Sequence, residues 1–391
     1  MLDTRFPPWP SFTVEEADAV RDLVLSNRVN YWTGEHGKLF EAEFASHFGS
    51  KHAIALANGT VAIDAALAAL GIGPGDEVIV TPRSFMASVS SVVNSGAVPV
   101  FADIDRDSGN ISPATIEAVV TSKTKAVVCV HLGGWPCDMK GIMALAERRS
   151  LKVIEDCAQA HGARIDGRSV GTFGNIGTWS FCQDKIMTTL GEGGMVTTDD
   201  DALWSSMWSN KDHGKSYAAV YNREHPPGFR WLCESFGTNW RMPEPQSLVG
   251  RLQLPKLTEW SKLRQKNAKQ IWDHAKKIGG LRVPALPSGY EHAAYKCYVY
   301  VDPDRLNAGW NRDRIVHALN ESGVPCGSGS CSEIYLERAF DNTGFRPLQR
   351  LPVARELGET SIAFLVHPTL TDQHIEFTYQ TLADVMRQAT V

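Results

Sequence analysis

The chain has 391 residues, of which 43% are hydrophobic and 21% charged, the balance of a globular protein with a large core. Its 39 Lys and Arg against 44 Asp and Glu give a formal net charge of −5, which argues against nucleic acid or an anionic membrane surface as the main partner. Residues 1–8 lack the pattern of a secretory signal, and no apolar run approaches 18 residues. We therefore expect a soluble, cytoplasmic protein without a membrane partner.

The eight cysteines do not form a recognisable framework. No C-x-x-C pair occurs, and the shortest spacing is that between Cys326 and Cys331. Cys129 and Cys157 lie in apolar, strand-like runs, where a free cysteine behaves as a small hydrophobic residue. We expect neither a set of disulfides nor a metal site.

The chain begins with a helix and then changes to an alternation of strands and helices. Thr13 and Glu16 have the spacing of a capping box, and apolar residues at helical spacing follow, which predicts a helix over 13–27. Short β-rich runs predict strands at 52–57, 77–81, 98–103, 125–130, 152–156, 177–181 and 194–198. Helices are predicted between the earlier strands at 60–70, 87–94, 113–120 and 141–149.

This alternation predicts an α/β protein with a mostly parallel, seven-stranded sheet covered on both faces. The last two predicted strands are too close for a helix between them, so one of them should be antiparallel. After residue 200 the alternation stops, and a stretch rich in Gly, Pro and aromatic residues near 224–231 predicts an irregular excursion. We predict a large domain over 1–255 and a smaller α+β domain over 256–391.

The elements predicted for this smaller domain mix helices with strands. They are a long surface helix at 257–278, a strand at 297–302, a helix at 312–321, a strand at 360–366 and a helix from 371.

Three segments carry possible chemistry. Asn58-Gly59-Thr60 follows a strand and opens a helix, where free backbone amides suit a phosphate, although a plain helix cap is the simpler explanation of the segment taken alone. Asp156 ends a buried strand, where ligands of open α/β sheets gather, or it caps the next turn. Lys185 lies between a strand and a glycine-rich turn, and it is either a Schiff-base lysine or a solvated loop residue.

Taken together, these segments offer phosphate donors, a carboxylate and an amine. Pyridoxal 5′-phosphate requires that combination, because its phosphate needs donors, its aldehyde an amine and its ring nitrogen an acid. A Rossmann dinucleotide site has no support, since no G-x-G-x-x-G occurs in the sequence.

The sequence resembles the DegT/StrS-type sugar aminotransferases, pyridoxal-phosphate enzymes with the fold type I architecture of the aspartate aminotransferase superfamily. The resemblance covers nearly the whole chain and depends on five motifs in order. They are NGTVAIDAAL (58–67), GDEVIV (75–80), VIEDCAQAHGA (153–163), S-F-x-x-x-K with T-x-GEGG (180–194) and GTNWRMPEPQ (237–246).

The resemblance implies a role for each matching residue. Lys185 would form the Schiff base and move the proton, and Asp156 would pair with the ring nitrogen. Gln159 would bind the phenolic oxygen, and Phe85 would stack on the ring. The phosphate would be held by Gly59, Thr60 and Ser180, with Asn239 reaching it from the other subunit of a homodimer with shared active sites.

The resemblance also implies the reaction and its alternatives. The expected function is transfer of an amino group, with L-glutamate as donor, to the keto group of a nucleotide-linked sugar in amino-sugar or surface-polysaccharide biosynthesis. An enzyme that acts on a carbocyclic keto compound, as aminotransferase or dehydratase, is the alternative. A sugar dehydratase would typically have His in place of Lys185, and a non-catalytic regulator would carry a further domain.

Overall fold

The computed structural model describes residues 6–390, and its regular elements alternate over the first half of the chain. The helices are α1 (Val14–Leu25), α2 (His36–Phe48), α3 (Gly59–Ala69), α4 (Ala87–Asn94), α5 (Pro113–Glu117), α6 (Met139–Arg149), α7 (Asp201–Asn210), α8 (Tyr217–Tyr221), α9 (Glu244–Gln253), α10 (Leu257–Ala275), α11 (Arg312–Glu321), α12 (Pro352–Thr360) and α13 (Asp372–Ala389). The strands are β1 (His52–Leu56), β2 (Glu77–Val80), β3 (Val98–Phe101), β4 (Thr124–Val130), β5 (Lys152–Asp156), β6 (Arg164–Ile165), β7 (Arg168–Ser169), β8 (Ile176–Ser180), β9 (Gly194–Thr198), β10 (Leu281–Arg282), β11 (Tyr290–Glu291), β12 (Cys297–Val301), β13 (Cys326–Gly327) and β14 (Ser361–Phe364).

A seven-stranded sheet forms the centre of the large part of the molecule, as predicted. Its strand order is β1-β9-β8-β5-β4-β2-β3. The pairs β2–β3, β2–β4, β4–β5 and β5–β8 are parallel, and β9 is antiparallel to both of its neighbours. The antiparallel strand is therefore the last of the predicted pair, and every other strand presents its carboxyl end at the same edge.

Two of the predicted helices start at a residue whose side chain caps them. The capping box of Thr13 and Glu16 is formed at the start of α1, which begins one residue later. The side chain of Asn58 caps α3 by accepting a hydrogen bond of 3.0 Å from the amide of Val61. The N-cap interpretation of Asn58 is therefore correct, and the cap fixes the first turn of α3 beside the carboxyl ends of the strands.

A second, antiparallel sheet organises the C-terminal part of the chain, in the order β10-β12-β14-β13. Apolar residues of α10, α11 and α13 pack with β12 and β14 in one buried cluster. This arrangement is the predicted α+β unit. The predicted boundary between residues 255 and 256 lies in a short 3-10 turn, Leu254–Lys256, between α9 and α10, and it stays a prediction.

Some elements were not expected. The helix α2 buries Phe40, Phe44 and Phe48, whose spacing of four residues was its signal in the sequence. A small sheet in the order β11-β6-β7 joins a strand from residues 290–291 to a hairpin of the large part. Several predicted elements are shorter than expected: β3 ends at Phe101, α5 at Glu117, α10 at Ala275 and β14 at Phe364.

Between residues 6 and 390, none of the helices combines the length and the apolar character needed to cross a membrane.

Candidate active site

A cavity of about 1180 Å³ opens at the carboxyl edge of the large sheet. Seven of the eight residues singled out in the sequence line it: Gly59, Thr60, Phe85, Asp156, Gln159, Ser180 and Lys185. The C-terminal part of the chain supplies another wall, with Tyr295, Lys296, Tyr298 and the loop 326–331. The cavity therefore lies between the two sheets, and both of them build it.

The start of α3 and the end of β8 form a narrow cradle in this cavity. A Cβ atom on Gly59 would lie only 2.6 Å from the Cβ of Ser180, so glycine is required for this close approach. The cap from Asn58 reaches the amide of Val61, and no described residue accepts from the amides of Gly59 and Thr60. Amides at a helix start with two hydroxyl side chains beside them suit a phosphate group.

Asp156 is buried at the end of β5 and is fixed by two hydrogen bonds. Its Oδ2 accepts from the hydroxyl of Ser88 at 2.7 Å, and its Oδ1 accepts from the amide of Ala158 at 3.1 Å. In the parallel register, Asp156 lies opposite Val130 on one side and Thr178 on the other. The carboxylate is therefore oriented in the cavity, where it can face a cationic N–H of a ligand.

Lys185 follows β8, and its side chain is largely buried but reaches the cavity. Its ammonium nitrogen lies 3.7 Å from Oδ1 of Asp184 and 5.1 Å from the centroid of the Tyr295 ring. The hydroxyl of Tyr295 donates to the other oxygen of Asp184, and the indole of Trp9 donates to the Lys185 carbonyl at 2.8 Å. The backbone of Lys185 is thus held by a hydrogen bond, and its amine lies beside a carboxylate and an aromatic ring.

Burial and the charge of Lys185 shift the pKa values of two neighbouring residues, Asp184 and His161. Burial raises the pKa of the Asp184 carboxyl, but Lys185 and the hydrogen bond from Tyr295 outweigh it, so the pKa ends below its usual value. His161 is fully buried between the rings of Trp179 and Phe181. Burial, with the nearby charges of Lys185 and Arg264, lowers the pKa of His161 to about 3. His161 is therefore neutral and does not exchange protons near neutral pH.

Gln159 and Phe85 occupy different environments in the cavity wall. The side-chain oxygen of Gln159 accepts from the amide of Gly133 at 2.7 Å, which leaves its NH₂ group as the available donor. Phe85 exposes 70% of its surface, a large value for an aromatic side chain at the mouth of a cavity. An exposed ring of this kind is available to stack on a planar ligand.

Asn239 is separated from this group. It is exposed, it forms a bridge with Asp212, and it is not among the described residues that line the cavity of its own chain. The structure of one chain therefore brings seven of the eight predicted residues together and leaves Asn239 on the outer surface.

One buried cluster, His131, Glu155 and Cys157, has the residue types of a metal site. The carboxylate of Glu155 already accepts from the amides of Gly171, Phe173 and Gly174 and contacts Nε2 of His131 at 3.1 Å. Nδ1 of His131 accepts from the amide of Cys137 at 2.9 Å. Burial raises the pKa of the Cys157 thiol, which keeps it protonated. The carboxylate and the imidazole are thus already engaged in hydrogen bonds within the fold, and the carboxylate holds the segment after β7.

Several residues of the site were not recognised from the sequence. Ser88 orients Asp156 from the first turn of α4, and Tyr295 and Lys296 enter from the stretch before β12. A lysine directly before an apolar, β-rich run was the available signal for Lys296. The sequence contained no sign that this stretch folds over the cavity.

The chain matches the DegT/DnrJ/EryC1/StrS aminotransferase family over residues 10–382. It is 36% identical over 362 residues to a UDP-N-acetyl-3-dehydro-alpha-D-glucosamine 3-aminotransferase of Acidithiobacillus ferrooxidans, covering 91% of this chain and 92% of the relative. It is 42% identical over 310 residues to the GDP-perosamine synthase of Caulobacter vibrioides, covering 78% and 79% of the two chains.

A solved structure is still more similar to this chain. The aminotransferase from Psychrobacter cryohalolentis is 62% identical, with a TM-score of 0.97 over 98% of this chain and 99% of that one. The expected fold type I architecture, the aminotransferase activity and the cofactor pyridoxal 5′-phosphate are thereby confirmed. The chain belongs to the DegT/DnrJ/EryC1/StrS aminotransferase family.

Proposed function

We propose that this enzyme transfers the amino group of L-glutamate to the keto carbon of a nucleotide-linked sugar, as a step of amino-sugar or surface-polysaccharide biosynthesis. The proposal is based on one observation: a single cavity is lined by Lys185, Asp156 and the start of α3. The names of two relatives, with a UDP-linked and a GDP-linked sugar, support the substrate class. The cavity of about 1180 Å³ is larger than most small-molecule sites, so it has room for a bulky substrate beside the cofactor.

The residues of the cavity fit pyridoxal 5′-phosphate. Gly59, Thr60 and Ser180 form the cradle that a Cβ atom on Gly59 would fill, and they offer amide and hydroxyl donors to the phosphate. Asp156 is a fixed carboxylate for the ring nitrogen, and Lys185 is an amine for the aldehyde. When bound, the cofactor supplies an electron sink for negative charge on the reacting carbon.

We assign the protein's part of the chemistry to two catalytic residues. Asp156 holds a proton on the ring nitrogen, which keeps the ring electron-poor. Nζ of Lys185 removes the proton from Cα of the amino donor and later delivers one to the keto carbon of the acceptor. The NH₂ of Gln159 donates to the phenolic oxygen, and Phe85 covers one face of the ring and keeps water away from it.

We further propose a homodimer in which Asn239 completes the phosphate site of the partner subunit. Asn239 is exposed in its own chain, and the preceding segment also exposes the large side chains of Phe229, Trp231 and Phe236. Such neighbouring apolar groups are costly in water and favour a covering surface. A second copy of the chain would cover them and bring Asn239 to its target.

The cytoplasm is the proposed compartment. All eight cysteines are free in the structure, which agrees with a reducing environment.

Gly59→Ala is expected to weaken cofactor binding about 5- to 150-fold, because the new Cβ would push the start of α3 away from Ser180 at a cost of about 1–3 kcal/mol. Titration of the cofactor-free protein with pyridoxal phosphate, followed by absorbance, measures the affinity. The control is Gly279→Ala, where an added Cβ meets no atom within 4 Å. Equal affinities of the two variants would contradict the cradle.

Lys185→Ala is expected to retain the cofactor without a covalent bond, because the phosphate donors and Asp156 remain. Its turnover should fall by about 100-fold or more, since both the covalent link and the proton carrier are lost. Reduction of the wild-type enzyme with borohydride followed by peptide mapping should find the cofactor on Lys185. The control variant is Lys277→Ala, which changes an exposed lysine. Mapping of the adduct to another lysine would refute the assignment.

Two separable half-reactions are expected, because one cofactor accepts the amino group before a second substrate receives it. Glutamate alone should change the absorbance of the bound cofactor and release 2-oxoglutarate, and a nucleotide-linked keto sugar should restore the absorbance. Steady-state kinetics should be ping-pong. If only a carbocyclic ketone restores the absorbance, the aminotransferase activity is supported and the nucleotide-linked sugar is contradicted as the substrate. Loss of water from a keto substrate without a glutamate response would favour a dehydratase.

Mixed dimers test the shared site. Lys185→Ala and Asn239→Ala chains should each be weakly active alone, and after subunit exchange one site of every mixed dimer receives both intact residues. We expect up to half of the wild-type activity per mixed dimer, measured by 2-oxoglutarate release. Exchange is verified by native mass spectrometry of differently tagged chains. No recovery in verified mixed dimers would show that each chain builds its own site.

A further inference from the structure

Lys296 is a second lysine in the cavity, and its side chain has no assigned role. It lies directly before β12, and its backbone amide donates to the carbonyl of Gly133 at 3.2 Å. Its side chain lines the cavity and is only partly exposed. No described residue forms a hydrogen bond or an ion pair with its ammonium group, which lies over the ring of Tyr295, so the charge has no anionic group in direct contact.

The surroundings of Lys296 hold more positive than negative charge. The ammonium nitrogens of Lys185 and Lys296 each lie 5.1 Å from the centroid of the Tyr295 ring. Behind them, Arg264 is 2% exposed, and its Nε and one terminal nitrogen have no hydrogen-bond partner. Asp184 is the carboxylate that faces this group, and it is already engaged with Tyr295 and Lys185.

Burial and the neighbouring charges together disfavour the charged form of Lys296. Burial lowers the pKa of Lys296, and Arg264 and Lys185 lower it further against the opposing effect of Asp184. His367 adds no charge, because burial, with Arg264 and Lys296, lowers its pKa to about 3. An anionic group of a ligand would relieve this imbalance and form a charge-assisted hydrogen bond with the free ammonium.

We propose that Lys296 is a binding residue for a carboxylate of the amino donor. The proposal rests on the proposed function, and it adds a recognition group for the first substrate. The α-carboxylate of an amino acid is one bond from the carbon that reacts at Lys185, so its binding group must lie close to Lys185. Lys296 meets this condition, because the ammonium groups of both lysines lie over the ring of Tyr295. The diphosphate of a nucleotide-linked sugar is separated from the keto carbon by part of the sugar ring. We therefore expect the diphosphate to bind farther from Lys185 and Tyr295 than the α-carboxylate does.

Glutarate tests the subsite without any chemistry, since it has carboxylates but neither an amino nor a keto group. Calorimetric titration of the cofactor-loaded enzyme should show binding that weakens roughly 10- to 100-fold in Lys296→Met, the value expected for one charge-assisted hydrogen bond. Lys296→Arg should keep most of the affinity. Lys277→Met, at an exposed position, should bind like the wild type. Because Met replaces a partly buried, unpaired cation, the thermal midpoint of Lys296→Met should be no lower than that of the wild type.

Titrations with UDP and GDP identify the source of the anion. Nucleotide affinity should be unchanged within about twofold in Lys296→Met. A loss of nucleotide affinity with normal glutarate binding would assign Lys296 to the diphosphate and overturn the proposal. Absent glutarate binding to the wild type, or equal binding to Lys296→Met, would overturn it too. The spectral response of the wild type to glutamate is a separate measurement. If glutamate does not change the spectrum, glutamate is not the amino donor, but the carboxylate subsite is still tested by the glutarate titration.

Discussion

The parallel register of β4, β5 and β8 is the constraint on which the site depends. Because these strands run in the same direction, their carboxyl ends meet at one edge, and Asp156 lies beside Val130 and Thr178. The chain then continues from β8 through Ser180 to Lys185, while β1 leads into α3 at the same edge. A carboxylate, an amine and a helix start that are distant in sequence thereby become neighbours. A slip of one residue in β5 would turn Asp156 toward the opposite face of the sheet.

The antiparallel strand β9 contributes to this arrangement in a different way. It lies between β1 and β8 and brings Gly194 against the start of α3, where a Cβ atom would come within 2.2 Å of the Asn58 carbonyl. The glycines at 59 and 194 therefore permit three backbone segments to approach one another closely. This is the physical reason for small residues in the motifs at 58–67 and 180–194, since a side chain at either position would separate the segments that form the phosphate cradle.

Much of the fold and most of the site could be predicted because both depend on local patterns. The seven strands of the large sheet follow from β-rich runs, and the antiparallel strand follows from the short spacing between 181 and 194. The unexpected features depend on tertiary contacts. The strands β6, β7 and β11 have two residues each, too few for a periodic signal. Ser88 and Lys296 become part of the site only through tertiary packing, which places α4 beside Asp156 and the stretch before β12 beside Lys185. No spacing in the sequence indicates these contacts.

The two parts of the molecule contribute different kinds of groups to the cavity. The large part supplies groups of fixed geometry: a capped helix, a hydrogen-bonded carboxylate and a lysine with an anchored backbone. The C-terminal part supplies a cation without a hydrogen bond or an ion pair, and the segment 326–331, whose several small residues leave space in the cavity. Unsatisfied charge and open space are typical of a surface that binds exchangeable ligands, because a polar group of the bound ligand can form the hydrogen bonds that the protein itself does not provide. Under the proposed assignments, changes in Lys296 and in the segment 326–331 should therefore alter which substrates bind, while the chemistry proposed for Lys185 and Asp156 is retained.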